Sequence, residues 1–195
     1  LGELTEQRPK TMVKVRGKPL LSHIVSGYNA AGIKRIQVVR GYCASAIDLP
    51  SLSYTDNADY ADSGELLSLA RGLAGDPDDS MDLFVSYGDV IFNHYILDAL
   101  NEVSDAFAIA VDTDWRESAN RGRAADYVTC TQAHSRRNFY QQVYLEAAGE
   151  DVAEDRIHGE WMGFLRVAAG SLPKFRATVA SLAARPANRQ AKMLA

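Results

Sequence analysis

Several residues in this 195-residue chain have the types and spacing to do chemistry. Lys10 follows Pro9 in a polar stretch, just before the short apolar run Met12-Val13-Lys14-Val15. A fixed ammonium at such a place offsets the negative charge that builds on a phosphorus under attack. The plain alternative is a solvated surface lysine. Asp89 closes the run Val85-Ser86-Tyr87-Gly88-Asp89. A carboxylate there, on rigid backbone, is a hard-oxygen ligand suited to magnesium with a nucleotide. It also suits the N-cap of a following helix. Asp112-Thr113-Asp114-Trp115-Arg116 follows an apolar run. A carboxylate beside an aromatic ring seats an ammonium group, and Arg116 has the chemistry to meet a phosphate or phosphonate oxygen. The alternative is a loop with Trp115 packed on the core. Glu160 and Trp161, in Gly159-Glu160-Trp161-Met162-Gly163, offer a second carboxylate and ring. Plain core burial of Trp161 is the competing reading.

These residues need elements to hold them. Met12 to Val15 reads as a short strand. Pro19 to Ala31 reads as a helix, with Leu20, Leu21, Ile24, Val25 and Tyr28 forming its apolar stripe. Pro19 suits its first turn and Gly32 its end. Strands are expected over 36–39, 52–55, 82–87 and 106–111. Helices are expected from Ser63, capped by Asp62 or Ser63, and from Asn93 to Leu100. Alternation of this kind implies an α/β fold with a mixed, mostly parallel sheet flanked by helices. Ligands gather at the carboxyl ends of such strands. Arg40-Gly41-Tyr42, Gly88-Asp89 and Asp112-Thr113-Asp114-Trp115 all fall there. The second half reads differently. Tyr127 to Thr131 and Phe139 to Leu145 look like antiparallel neighbours, and 116–126 and 146–158 look like loops. Trp161 to Val167 reads as a strand, and Leu172, Phe175, Val179 and Leu182 mark a last helix. No domain linker or internal repeat is visible, so residues 1–195 are expected to form a single domain.

The opening stretch, Leu1-Gly2-Glu3-Leu4-Thr5-Glu6-Gln7-Arg8-Pro9-Lys10 through Gly17-Lys18-Pro19-Leu20-Leu21, resembles nucleotidyltransferases of the sugar-phosphate and phosphocholine type. Their signature is a glycine-rich loop ending in Arg-Leu-Gly-x-x-Thr, then Pro-Lys, a short strand and Gly-Lys-Pro-Leu-Leu. The resemblance implies a Rossmann-like, GT-A-like domain. It makes Lys10 the catalytic ammonium and Asp89 the Mg2+ ligand. Leu1, Gly2, Asn57 and Ser68 would join Lys10 and Asp89 around the nucleotide. Asn57, Tyr60 and the Ser68-Leu69 pair match an Asn-x-x-Tyr element and Ser-Leu pair of choline-phosphate and aminoethylphosphonate cytidylyltransferases. Asp112, Trp115, Glu160 and Trp161 would hold the acceptor. The expected reaction moves a nucleotidyl group, CMP from CTP, to 2-aminoethylphosphonate or phosphocholine. A sugar-1-phosphate nucleotidyltransferase is the alternative enzyme. A regulatory or scaffolding domain that keeps the fold without catalysis is the alternative of another class. The family's first strand and phosphate loop would precede Leu1, so truncation at both ends is expected. The stretch Ala168 to Ala195 holds no carboxylate, so the family's second metal ligand is expected beyond it. Some relatives are the C-terminal part of a phosphoenolpyruvate mutase fusion.

Bulk properties bound the rest. Apolar residues at 47% and charged residues at 24% suit a globular domain with a full core. A net charge of -4 argues against a nucleic-acid surface but not against one bound nucleotide. No apolar run approaches the ~20 residues that span a bilayer. Cys43 and Cys130 lack a CxxC partner, so free thiols in a reducing, cytoplasmic compartment are expected. His23, His94, His134 and His158 are scattered without ligand spacing.

Overall fold

A computed structural model describes residues 2–75, 78–117, 125–138 and 141–193. The chain falls into two compact units, Leu1–Ala108 with Leu165–Met193, and Ile109–Phe164. Among the described residues, no helix is long and apolar enough to cross a membrane.

In the first unit, Lys10–Met12 form a single 3-10 turn and β1 (Lys14–Val15) pairs antiparallel with β2 (Lys18–Pro19). The hairpin turns through Arg16 and Gly17, at φ 50° and 82°. Two successive positive φ angles match strand twist in a two-residue turn, and only one of them falls on glycine here. Helix α1 (Leu20–Ala30) follows and buries Leu20, Leu21, Ile24 and Tyr28, the stripe read from spacing. Burial pushes the Tyr28 hydroxyl up to about 12. Strand β3 (Gln37–Arg40) pairs in parallel with β4 (Ser53–Asp56), in the register Gln37↔Ser53 to Arg40↔Asp56. A helix-bearing crossover is the usual price of parallel pairing; here the short turn Ala44–Ala46 and a loop make the connection.

Helix α2 (Glu65–Gly75) starts two residues after the expected cap. Ser63 does not cap it by side chain. Instead, the N–H groups of Gly64 and Leu66 donate to Arg189 O (2.7 Å) and Ala191 O (3.1 Å). Backbone carbonyls far along the chain thus satisfy orphan donors of the helix start. Strand β5 (Leu83–Ser86) leads to Asp89, and α3 (Tyr95–Asn101) follows with Asn93 Oδ1 accepting from Tyr95 N–H at 3.4 Å. Helix α4 (Leu172–Ala183) packs on α2, where Leu66, Leu73 and Val179 are buried with Phe175 and Leu182 against them. Strand β5 pairs with β9 (Gly159–Val167), whose residues from Leu165 onward belong to this unit.

In the second unit, β7 (Tyr127–Cys130) pairs antiparallel with β8 (Leu145–Gly149) and with β9, and β6 (Phe107–Asp112) also pairs with β9. The fold is therefore mixed α/β, as expected. One strand is displaced from its expected position. The sequence reading put a strand over 139–145 and a loop over 146–158. Residues 139 and 140 lie outside the described residues, and the strand observed is Leu145–Gly149. Glu-Ala-Ala-Gly has little β preference. Pairing with β7 holds it extended, with a register shift at Thr129/Cys130.

Candidate active site

Two segments distant in sequence meet at Lys10 and Asp89. Pro9, extended at φ -67° and ψ 155°, delivers the chain into the turn that carries Lys10. Asp89 follows the end of β5. The Lys10 ammonium donates to Asp89 Oδ2 in an ion pair, with the two side chains 56% and 34% exposed. The segments also touch beside it: a Cβ on Gly88 would stand 3.0 Å from the Thr11 methyl. Glycine at that position lets the turn and the strand end approach closely. Thr11 Oγ1 is buried there without a hydrogen-bond partner among the described residues. Gly2 lies in the turn Gly2–Thr5 at φ 49°, in open space. Leu1 lies outside the described residues.

Asp89 fits Mg2+ by chemistry: a hard carboxylate oxygen, partly exposed, past a strand's carboxyl end. Among the described residues, no group of three or more His, Cys, Asp or Glu is placed to hold a metal ion. Asp89 is thus one ligand, and a cation there needs further oxygens from elsewhere.

Asn57 is an organising residue, 2% exposed. Its Nδ2 donates to Ser63 Oγ (3.1 Å) and Ser68 Oγ (3.0 Å), and its Oδ1 accepts from Asp59 N–H at 3.1 Å. Every polar group of that side chain is engaged, which pins the loop after β4 to α2. Ser68 lines a cavity of about 550 Å³ inside the first unit, together with Glu65, Tyr87 and Gly88. Tyr87 Oη donates to Glu65 Oε2 at 2.7 Å, and Met193 N–H donates to the same oxygen at 3.1 Å. The structure brings Lys10 and Asp89 together, and Asn57 and Ser68 together.

The second unit holds the other cluster. Asp112 ends β6, and its Oδ1 accepts from Asp114 N–H at 2.9 Å. The Trp115 ring packs on Tyr127 with centroids 4.9 Å apart and planes 58° apart. The Arg116 guanidinium sits 4.6 Å above the Trp115 ring, so that face already attracts a cation. Tyr127 pairs in register with Glu160 across β7 and β9, which puts their side chains on one face. Gly159 comes close to Asp112, since a Cβ there would stand 2.8 Å from Asp112 O. Asp112, Trp115, Tyr127 and Glu160 therefore form one neighbourhood. Trp161 points the other way, because successive strand residues alternate. It is 4% exposed, and its indole N–H donates to Phe164 O at 2.9 Å. Sequence reading passed over Tyr127 as an ordinary strand residue. Its place opposite Glu160 comes from cross-strand register, which the sequence alone does not display.

Comparison with known proteins places the chain in a family. Residues 4–143 match the model of the MobA-like NTP transferase domain. The chain is 29% identical over 136 residues to the CMP-5'-(3-aminopropyl)phosphonate synthase of Streptomyces rubellomurinus, covering 65% of this chain and 21% of that protein. It is 31% identical over 133 residues to the UTP–glucose-1-phosphate uridylyltransferase AglF of Haloferax volcanii, covering 63% and 53%. The chain thus spans about a fifth and about half of the lengths of these relatives. Its fold resembles that of the inositol-1-phosphate CTP transferase of T. maritima, with a TM-score of 0.70, 14% identity, and coverage of 98% of this chain and 71% of that one. The match over most of its length, with the Lys10–Asp89 corner inside it, shows that the chain belongs to the MobA-like NTP transferase domain family.

Proposed function

We propose that the protein is a magnesium-dependent cytidylyltransferase whose acceptor is a small phosphonate or phosphate bearing an amine. The observation that carries this reading is the meeting of Lys10 and Asp89. In the reaction, an acceptor oxygen forms a bond to the α-phosphorus of CTP. The bond to the β-phosphate oxygen breaks, and pyrophosphate leaves with that electron pair. Lys10 offsets the charge that develops on the α-phosphate oxygens. Asp89 would hold Mg2+, which when bound supplies charge neutralisation to the phosphates. Asn57 and Ser68 fix the wall beside the nucleotide, and by the family resemblance Leu1 and Gly2 belong to the end of the loop that meets its phosphates.

The acceptor assignment rests on Asp112, Trp115 and Glu160, with Tyr127 added by the structure and Trp161 as the buried support of β9. Rings and carboxylates favour an ammonium, and the carboxylates repel a neutral sugar's phosphate. The name of the Streptomyces relative supports an aminoalkylphosphonate acceptor. That of the Haloferax relative supports the second reading, a sugar-1-phosphate acceptor. Two free, half-buried thiols accord with the cytoplasm.

The test is a panel on the full-length protein with CTP and Mg2+, following pyrophosphate release. 2-Aminoethylphosphonate, phosphocholine and phosphoethanolamine should outrun hexose 1-phosphates. A preference for the hexose phosphates would replace this reading with the second, and no turnover of any acceptor would favour a non-catalytic domain.

A further inference from the structure

Lys10 and Asp89 do more than mark a site, because each occupies the atom that the other's ligand needs. The Lys10 ammonium donates to Asp89 Oδ2, one of the two oxygens with which that carboxylate meets a cation. A divalent ion arriving alone must compete with the ammonium for the carboxylate and sit beside it, like charge against like charge. It finds no further cluster of protein donors among the described residues. The Lys10 side chain is 56% exposed, so it is free to swing away once a better partner is offered. A triphosphate is that partner: its oxygens attract the ammonium and also complete the cation's shell.

We propose that Lys10 and Asp89 form an ion-exchange gate that admits a divalent cation only in the company of a nucleoside triphosphate. Resting on the nucleotidyltransferase reading, the gate gives Lys10 a second task besides charge stabilisation. Lys10 leaves Asp89 for the phosphates, and Asp89 turns to the cation that accompanies them. Without a nucleotide, free cation is disfavoured at Asp89, since binding it would leave Lys10 without its counter-ion.

The gate predicts opposite signs for one substitution in two binding measurements. Mn2+ binding is followed by electron paramagnetic resonance on the full-length protein, with and without CTP and with no acceptor present. Without CTP, Lys10→Met should tighten Mn2+ by about fivefold or more, the scale of removing a like charge a few ångströms away. With CTP, the same substitution should weaken Mn2+ binding, since the phosphates lose their ammonium. Asp89→Asn should weaken Mn2+ binding when CTP is present. Unchanged or weaker Mn2+ binding by Lys10→Met without CTP overturns the gate, as does wild-type Mn2+ binding by Asp89→Asn with CTP. These readouts need no turnover. Failure of the broader reading shows separately, as absent pyrophosphate release by the wild-type protein.

Discussion

At the residue scale, Tyr127 has the most to reveal. It stands against Trp115 at 4.9 Å and opposite Glu160, so it forms a wall of the cluster assigned to the acceptor amine. An aromatic face contributes about 0.5–2 kcal/mol to a bound cation. Tyr127→Ala should therefore raise the KM for 2-aminoethylphosphonate by roughly three- to thirtyfold. The KM for CTP should stay within about twofold. Steady-state kinetics with each substrate varied in turn separates the two. A parallel rise in both constants would make Tyr127 a packing residue only. Trp161 belongs to a different account, since its ring lies in the interior with the indole N–H engaged.

At the element scale, the end of β9 is fastened by Arg166, which is 7% exposed. Its guanidinium donates to Asp82 Oδ2 (Nε at 2.9 Å) and to the carbonyls of Val103 (2.7 Å) and Asp105 (3.1 Å). Asp82 Oδ1 accepts from Ala169 N–H at 2.9 Å. One carboxylate thus ties the approach to β5, the end of β9 and the turn leading to α4. Asp82→Ala should destabilise the protein by about 3 kcal/mol at pH 7, because it leaves a buried cation short of its counter-ion. The Ala169 N–H and the Arg166 guanidinium hold the Asp82 carboxyl below its ordinary value, against the opposing effect of burial. Its contribution is therefore complete above the unfolded aspartate value of about 3.9 and is lost as pH falls through the lower folded value. Urea unfolding of wild type and variant at pH 7 and at pH 3 should show the gap narrowing in acid. An equal gap at both values would assign the effect to packing.

The same scale shows what could be read in advance. Helix α1 was legible because its stripe of Leu20, Leu21, Ile24 and Tyr28 is buried as its spacing demands. Strand β5 and the position of Asp89 were legible for a similar reason, an apolar run closed by Gly-Asp. The start of α2 was not, because its donors are met by Arg189 and Ala191, more than a hundred residues away. Strand β8 was not, because Glu146, Ala147 and Ala148 carry no β signal and β7 imposes their conformation. Within the candidate site, Lys10, Asp89 and Asn57 could be named from motifs. Tyr127 depended on cross-strand register, which a single sequence does not display.

At the scale of the whole molecule, the chain carries a net charge of -4, yet the proposed reaction handles anions. Local cations must do that work, and Lys10 is the one placed beside the carboxylate at the end of β5. Family membership, the mixed α/β fold and the Lys10–Asp89 corner support the proposed nucleotidyl transfer. The measurement that tests this most directly is pyrophosphate release from CTP, Mg2+ and 2-aminoethylphosphonate by the full-length protein, wild type beside Lys10→Ala. Loss of one electrostatic stabiliser should lower turnover by a factor of about 10² or more, with the variant still folded by circular dichroism. Turnover by folded Lys10→Ala within a few-fold of wild type would contradict the account.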